Sequence, residues 1–130
     1  MADRRQELYA RTREFLDAFN RNDLDAVMAF FSEDAVYDEL NGRPNEGKAA
    51  VRAAFEPQFE GRFGTMEFVE DDTFVDAESG KVMSSWDLRT TKDGVTTVLR
   101  GLDLLHFDGP LIRLKQTYVK AKQPRYETQD

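Results

Sequence analysis

The sequence contains no cysteine and only one histidine, His106. Without thiols there is no disulfide framework, no thiolate zinc site and no cysteine nucleophile. One histidine cannot build a metal site that needs several imidazoles. We therefore expect neither a metal nor another cofactor.

Positive charge is also scarce, with 18 lysines and arginines against 25 acidic residues and a net charge of −7. Nucleic-acid binding needs clustered cations, and anionic membranes repel the same negative charge. The N-terminus is charged and has no apolar run that would serve as a signal peptide or a membrane span. We expect a cytoplasmic protein that binds neither nucleic acid nor membranes.

The 130 residues are the usual size of a single domain. Apolar residues make up 40% of the chain and include ten phenylalanines, which is enough for a real core. Internal repeats and low-complexity segments are absent. We assign residues 1–122 to one domain and residues 123–130 to a C-terminal tail.

Hydrophobic spacing predicts three helices in the first half of the chain. Apolar residues recur every three or four positions over Arg4–Asn20, over 24–31 and over 46–59. Pro57 is expected to disturb the end of the third helix. A short extended segment, 35–40, separates the second helix from the third.

The second half of the chain alternates in the manner of strands. Extended segments are predicted at 66–68 and 74–75, then at 81–91, 95–107 and 112–120. Turn residues separate them, the strongest signal being Lys92-Asp93-Gly94. Helices followed by hairpin-connected strands predict an α+β fold, with three N-terminal helices packed on a mostly antiparallel sheet.

One acid stands out in the strand at 95–107. Asp103 shares its side of the strand with Leu99, Gly101, Leu105 and Phe107. A carboxyl group among apolar side chains acts as a proton donor or as a base of raised basicity. An exposed edge position, or an ion pair with an arginine, is the alternative for Asp103.

The opposite side of the same strand is apolar as well, with Val98, Leu102, Leu104 and His106. Both faces therefore need a cover. The helices supply one, and a partner subunit is expected to supply the other, which predicts a homodimer. In the last strand Gln116 and Tyr118 share one side and are candidate polar groups of a cavity.

Three stretches resemble bacterial ketosteroid isomerase and its SnoaL-like relatives in the nuclear transport factor 2-like superfamily. The first, 15–42, follows the family's helix, Asn-Asp-Leu-Asp turn, helix and strand without a gap. The second is Gly47-Lys-Ala-Ala-Val-Arg, similar to the start of the family's third helix. The third, 94–109, has a hairpin glycine, a strand aspartate and Phe-Asp-Gly at the family's separations. The resemblance implies a cystatin-like cone with a curved sheet.

The resemblance also implies roles for particular residues. In the isomerase one carboxylate shuttles the substrate proton, while a tyrosine and a protonated aspartate donate hydrogen bonds to the developing oxyanion. Asp103 resembles that aspartate. The proton-shuttling acid corresponds to Glu39 when the match is extended from the first helix and to Asp38 when it is extended back from Gly47. Phe15 stands where the isomerase has its tyrosine, so that donor is missing.

The implied function is an enzyme that acts on a small apolar molecule by proton transfer, as an isomerase, cyclase or dehydratase, with Asp103 and Glu39 or Asp38 as acid and base. A ligand-binding or dimerisation module without catalysis is the alternative. A purely structural domain would have a filled cone. The residues expected to line the ligand site are Phe15, Phe19, Tyr37, Trp86, Leu99, Gln116 and Tyr118.

Overall fold

The computed structural model describes residues 3–124 and 126–128. Helices cover one face of a curved six-stranded sheet, which confirms the predicted α+β class. In chain order the elements are α1 Arg4–Asn20, α2 Leu24–Met28, β1 Phe31–Asp38, β2 Asn45–Glu46, α3 Lys48–Phe59, β3 Thr65–Asp76, β4 Lys81–Lys92, β5 Val95–Asp108 and β6 Leu111–Val119.

The strand order across the sheet is β2-β1-β6-β5-β4-β3. β3 to β6 form a meander of antiparallel neighbours, whereas β1 lies parallel to β6. The sheet is thus mixed, with antiparallel pairs in the majority. Long strands at its centre carry the residues that face the helices.

The first helix has the bounds that its periodicity predicts. The Asp3 side chain accepts a hydrogen bond of 2.7 Å from the backbone N–H of Gln6, which satisfies one of the donors left free at the start of a helix. The buried side chains of α1 lie on the stripe that faces the sheet: Leu8, Thr12, Phe15, Leu16, Ala18 and Phe19. Burial of this stripe holds the helix on the sheet.

The second and third helices are shorter than predicted. α2 ends at Met28, because Phe31 already pairs with Ile112 of β6 as the start of β1. The predicted start of α3 at residue 46 is also wrong, since Asn45–Glu46 form a short strand against β1. In both places pairing with a distant strand overrides local helical spacing.

The turn between β4 and β5 follows the prediction from its sequence. Asp93 and Gly94 both have positive φ, 53° and 78°. Two-residue hairpin turns need this backbone conformation, which glycine and aspartate tolerate. The turn aligns β4 and β5 over their whole length, with Lys92 paired to Val95 at one end and Lys81 to His106 at the other.

The core between the helices and the sheet is built from phenylalanines. The ring of Phe15 meets those of Phe19 and Phe31 edge to face, and Phe19 meets Phe55 in the same way. Such edge contacts add to the gain from burying the rings. Rigid packing here fixes the distance of α1 and α3 from the sheet.

Residues 120–124 and 126–128, which follow β6, form neither helix nor strand, while residues 125, 129 and 130 of the predicted tail lie outside the described residues. The domain boundary at 122 stays a prediction.

Within the described ranges no helix has the length and apolar character needed to cross a membrane. The predicted cytoplasmic location is likewise still a prediction.

Candidate functional site

The cone is not filled. A cavity of about 570 Å³ lies between the helices and the inner face of the sheet. Its volume falls in the range of pockets that hold small ligands. The wall is mostly apolar and includes Leu16, Phe19, Phe55, Met66, Phe68, Trp86, Leu88 and Leu99.

Asp103 lies at the wall of this cavity with only 4% of its surface exposed. Alternation along β5 turns it toward the helices, as the sequence pattern predicts. Its oxygens accept three hydrogen bonds: Trp86 Nε1–H donates to Oδ2 at 3.2 Å, Thr117 Oγ1 donates to Oδ1 at 2.7 Å, and Lys115 Nζ lies 3.1 Å from Oδ1. Both alternatives are wrong: Asp103 is buried rather than at an exposed edge, and its ion-pair partner is Lys115 rather than an arginine, since Arg100 lies 3.7 Å from Asp87.

Lys115 is the group that the sequence analysis does not identify. Its side chain is 6% exposed and reaches the cavity from β6. Nζ donates to Thr117 Oγ1 at 2.8 Å and lies 4.3 Å from the centre of the Tyr37 ring. Desolvation, the largest influence, acts to lower the pKa of Lys115, but the attraction of Asp103 and Tyr37 outweighs it and the pKa is raised. The cavity therefore contains an ammonium group.

A bulge in the pairing of β5 with β6 explains why the sequence pattern assigns the residues of β6 to the wrong faces of the sheet. The pairing of β5 with β6 shifts between His106 and Phe107, so that Ile112 and Lys115, three residues apart, are both buried. Simple alternation from Ile112 puts Lys115 on the opposite side. Thr117 lies opposite Asp103, so Lys115, two residues earlier in β6, lies on the same face of the sheet. This register depends on the bulge and cannot be deduced from alternation along β6.

Gln116 and Tyr118 do not reach the cavity, contrary to expectation. They face the outer side of the sheet, where Gln116 Oε1 lies 2.8 Å from His106 Nε2 and Tyr118 is half exposed. Their cross-strand partners on β5 are Leu104 and Leu102, on the face opposite Asp103. The bulge is again the cause, since it exchanges the faces of the residues that follow it.

The choice between Asp38 and Glu39 is resolved geometrically. Asp38 pairs with Gln116 and shares its outer face. Glu39 is half-buried and lines the cavity, and Asn45 Nδ2 donates to its Oε2 at 2.7 Å. Two carboxylates, Glu39 and Asp103, thus reach the same cavity. Their catalytic roles stay predictions.

The other predicted ligand residues divide between cavity and core. Phe19, Tyr37, Trp86 and Leu99 line the cavity. Phe15 does not, because its ring is enclosed by other phenylalanines behind the wall and is 1% exposed.

Gly101 gives Trp86 the room to reach Asp103. The two residues are cross-strand partners, and a Cβ on residue 101 would lie 2.7 Å from the indole ring. Glycine lets the ring lie across β5, so that its N–H points to the carboxylate. Ser84, also opposite Asp103, has a buried hydroxyl that finds no hydrogen-bond partner in the described part of the chain. A cluster of three or more acidic or histidine side chains able to hold a metal ion is not found in that part either.

Comparison with known proteins adds a family and a set of similar folds. A model of the SnoaL-like domain matches residues 12–114. No curated protein matches the sequence. A solved structure of a candidate polyketide cyclase from Xanthomonas campestris pv. campestris is 24% identical, with a TM-score of 0.77 over 89% of this chain and 92% of that one.

Two further structures are similar in fold. A cystatin-like protein of unknown function from Methylobium petroleophilum PM1 is 23% identical, with a TM-score of 0.78 over 96% of this chain and 83% of its own. SalBIII, an epoxide hydrolase/cyclase-like enzyme of pyran ring formation in the polyether salinomycin, is 16% identical, with a TM-score of 0.78 over 88% and 92% of the two chains. At these identities the likeness establishes a shared fold.

Proposed function

Since the chain belongs to the family of SnoaL-like domain proteins, we propose that it is an enzyme that moves a proton on a small, largely apolar molecule, as an isomerase, cyclase or dehydratase does. The observation that carries the proposal is that two carboxylates, Glu39 and Asp103, line one apolar cavity. General acid–base catalysis needs such groups within reach of the reacting atoms. An apolar wall strengthens their electrostatic effect because it keeps the local dielectric constant low.

Glu39 is the better candidate for the base. Asp103 already accepts hydrogen bonds on both oxygens from protein donors, whereas Glu39 is half-buried at the cavity and accepts a hydrogen bond from Asn45 Nδ2 at Oε2. This hydrogen bond orients the carboxylate, and the lone pairs of Oε1 can accept a substrate proton. Asp103 then balances the charge of Lys115 at the cavity wall.

The reaction type can be tested without knowledge of the natural substrate. Bicyclic and tricyclic ketones that fit 570 Å³ are incubated with the protein in D₂O, and deuterium uptake next to the carbonyl group is followed by NMR. We expect faster uptake than in buffer for the ketones that bind. Ketones that bind tightly and exchange only at the buffer rate would contradict the proposal.

A second function is favoured by one observation. Because the oxygens of Asp103 are occupied by Trp86, Thr117 and Lys115, this carboxylate also fits a purely structural role. The protein would then bind a small molecule without transforming it. Ligand affinity without any exchange, as described above, is the outcome that this alternative predicts.

We also propose that two copies associate through the outer face of the sheet. This face carries Val98 and Tyr118, both more than half exposed, beside the partly buried Leu102 and Leu104. Apolar patches of this kind are typical of protein interfaces. Sedimentation velocity should give a dimer for the wild type and a monomer for Leu104→Arg. Val95→Arg, at an exposed apolar residue of the other face, should leave the dimer intact, and a monomeric wild type would contradict the proposal.

A further inference from the structure

Around Asp103 and Lys115 the cavity wall offers a ligand a hydrogen-bond donor rather than an acceptor. Asp103 is engaged on both oxygens, so its capacity for a further donor is small. Lys115 has three N–H donors. Asp103 Oδ1 at 3.1 Å and Thr117 Oγ1 at 2.8 Å take two of them. The rest of the ammonium group faces Tyr37 and Phe55, and a hydrogen bond to the Tyr37 side chain is the smallest of the influences that raise the pKa of Lys115.

An aromatic side chain is a weaker partner for an ammonium group than an oxygen that carries partial negative charge. A ligand oxygen that approaches the cavity wall beside Tyr37 would therefore improve the hydrogen bonding of Lys115. A ligand hydroxyl that donated a hydrogen bond to Asp103 would compete with Trp86, Thr117 and Lys115, which already donate to it. This part of the wall is thus suited to an acceptor on the ligand.

We infer that Lys115 binds an acceptor oxygen of the ligand in this cavity. Asp103 and Thr117 position the ammonium group, and Tyr37 borders the space for the oxygen.

The raised pKa of Lys115 supports this role over a covalent one. Desolvation, the strongest influence, lowers it, but Asp103 and Tyr37 more than compensate, so Nζ keeps its proton and has no lone pair for attack on a carbonyl carbon. An ammonium group instead polarises the carbonyl and stabilises negative charge on its oxygen.

In the reaction proposed above, on which this step rests, the electrons balance without a further reagent. Glu39 takes a proton from the carbon next to the carbonyl, and the C–H electron pair forms a C=C bond. The carbonyl π electrons move to the oxygen, where Lys115 donates a hydrogen bond to the resulting enolate. Return of the proton from Glu39 to carbon restores the carbonyl group.

The test uses two probes of nearly equal size, 2-acetylnaphthalene and 2-isopropylnaphthalene, which differ in that a carbonyl oxygen replaces a methyl group. The variant Lys115→Met/Asp103→Leu removes both charges, so no unpaired charge is buried. We expect the preference for the ketone, the ratio of the two dissociation constants, to fall by about 10- to 100-fold relative to the wild type. Lys120→Met, at an exposed lysine that follows β6, should leave this ratio unchanged.

A second measurement needs no variant. The infrared stretching band of 2-acetylnaphthalene labelled with ¹³C at the carbonyl should move to lower frequency on binding to the wild type, relative to its position in hexane. An unchanged ratio of dissociation constants, or a bound carbonyl band at its hexane position, would overturn the inference. Loss of exchange in D₂O with a shifted band would remove the proposed reaction and leave the role of Lys115 standing.

Discussion

Replacing Asp103 with leucine is expected to lower the free energy of unfolding by about 3–5 kcal/mol. The substitution leaves the ammonium group of Lys115 buried at 6% exposure without its counter-charge. It also removes the acceptor of the Trp86 indole N–H and of the Thr117 hydroxyl. Urea unfolding at pH 7 measures the loss.

Two variants separate the charge effect from other causes. Lys115→Met/Asp103→Leu should recover much of the lost stability, since well-packed apolar side chains replace a buried ion pair at little cost. Asp25→Leu is the control, because Asp25 pairs with Arg52 at 2.7 Å between α2 and α3, where both side chains are exposed. Its effect should stay below about 1 kcal/mol. A double variant as unstable as Asp103→Leu would refute the ion-pair explanation.

The effect of pH on stability should change sign in Asp103→Leu. In the wild type the pKa of Lys115 is raised above 10.5, so the pair contributes fully below 10.5 and its contribution is lost as pH rises through the higher folded value. Without Asp103, desolvation dominates and lowers the pKa of Lys115 in the folded state. The unfolded chain then binds more protons below 10.5, and stability should rise with pH in that window. The double variant serves as the baseline for other titrating groups.

Glu39→Gln is expected to lower the rate of deuterium exchange by about 10²–10⁴-fold in a ketone that the wild type processes. Glutamine keeps the shape of the side chain and an oxygen for the hydrogen bond from Asn45 Nδ2. It cannot take a proton from carbon. NMR gives the exchange rate, and calorimetry should show that ketone affinity changes little.

Asp38→Asn is the natural control for Glu39→Gln. The two acids are neighbours in the chain, but Asp38 lies beside Gln116 on the outer face of the sheet. Asp38→Asn should therefore leave the exchange rate unchanged. If it lost activity and Glu39→Gln did not, Asp38 would be the base, as the match extended back from Gly47 implies.

The periodicity of the sequence alone predicts those helices and strands that bury a single face. The stripe of α1 and the alternation of β5 each refer to a single buried face, so the burial of Asp103 and the bounds of the first helix follow from spacing. The ends of α2 and α3 do not, because there distant strand pairing competes with helical spacing. The same limit applies to Gln116 and Tyr118, whose face depends on a bulge in the pairing with β5.

The α+β class, the family and the placement of one acid in an apolar environment follow from the order of the residues and from the period of each helix and strand. The pairing of the strands is what brings Glu39 rather than Asp38 to the cavity and makes Lys115 the counter-charge of Asp103. The reason is that a strand's periodicity defines two faces but not which neighbour lies opposite. That register, set here by the β5–β6 bulge and the parallel pairing of β1 with β6, brings Asp103, Lys115 and Tyr37 together.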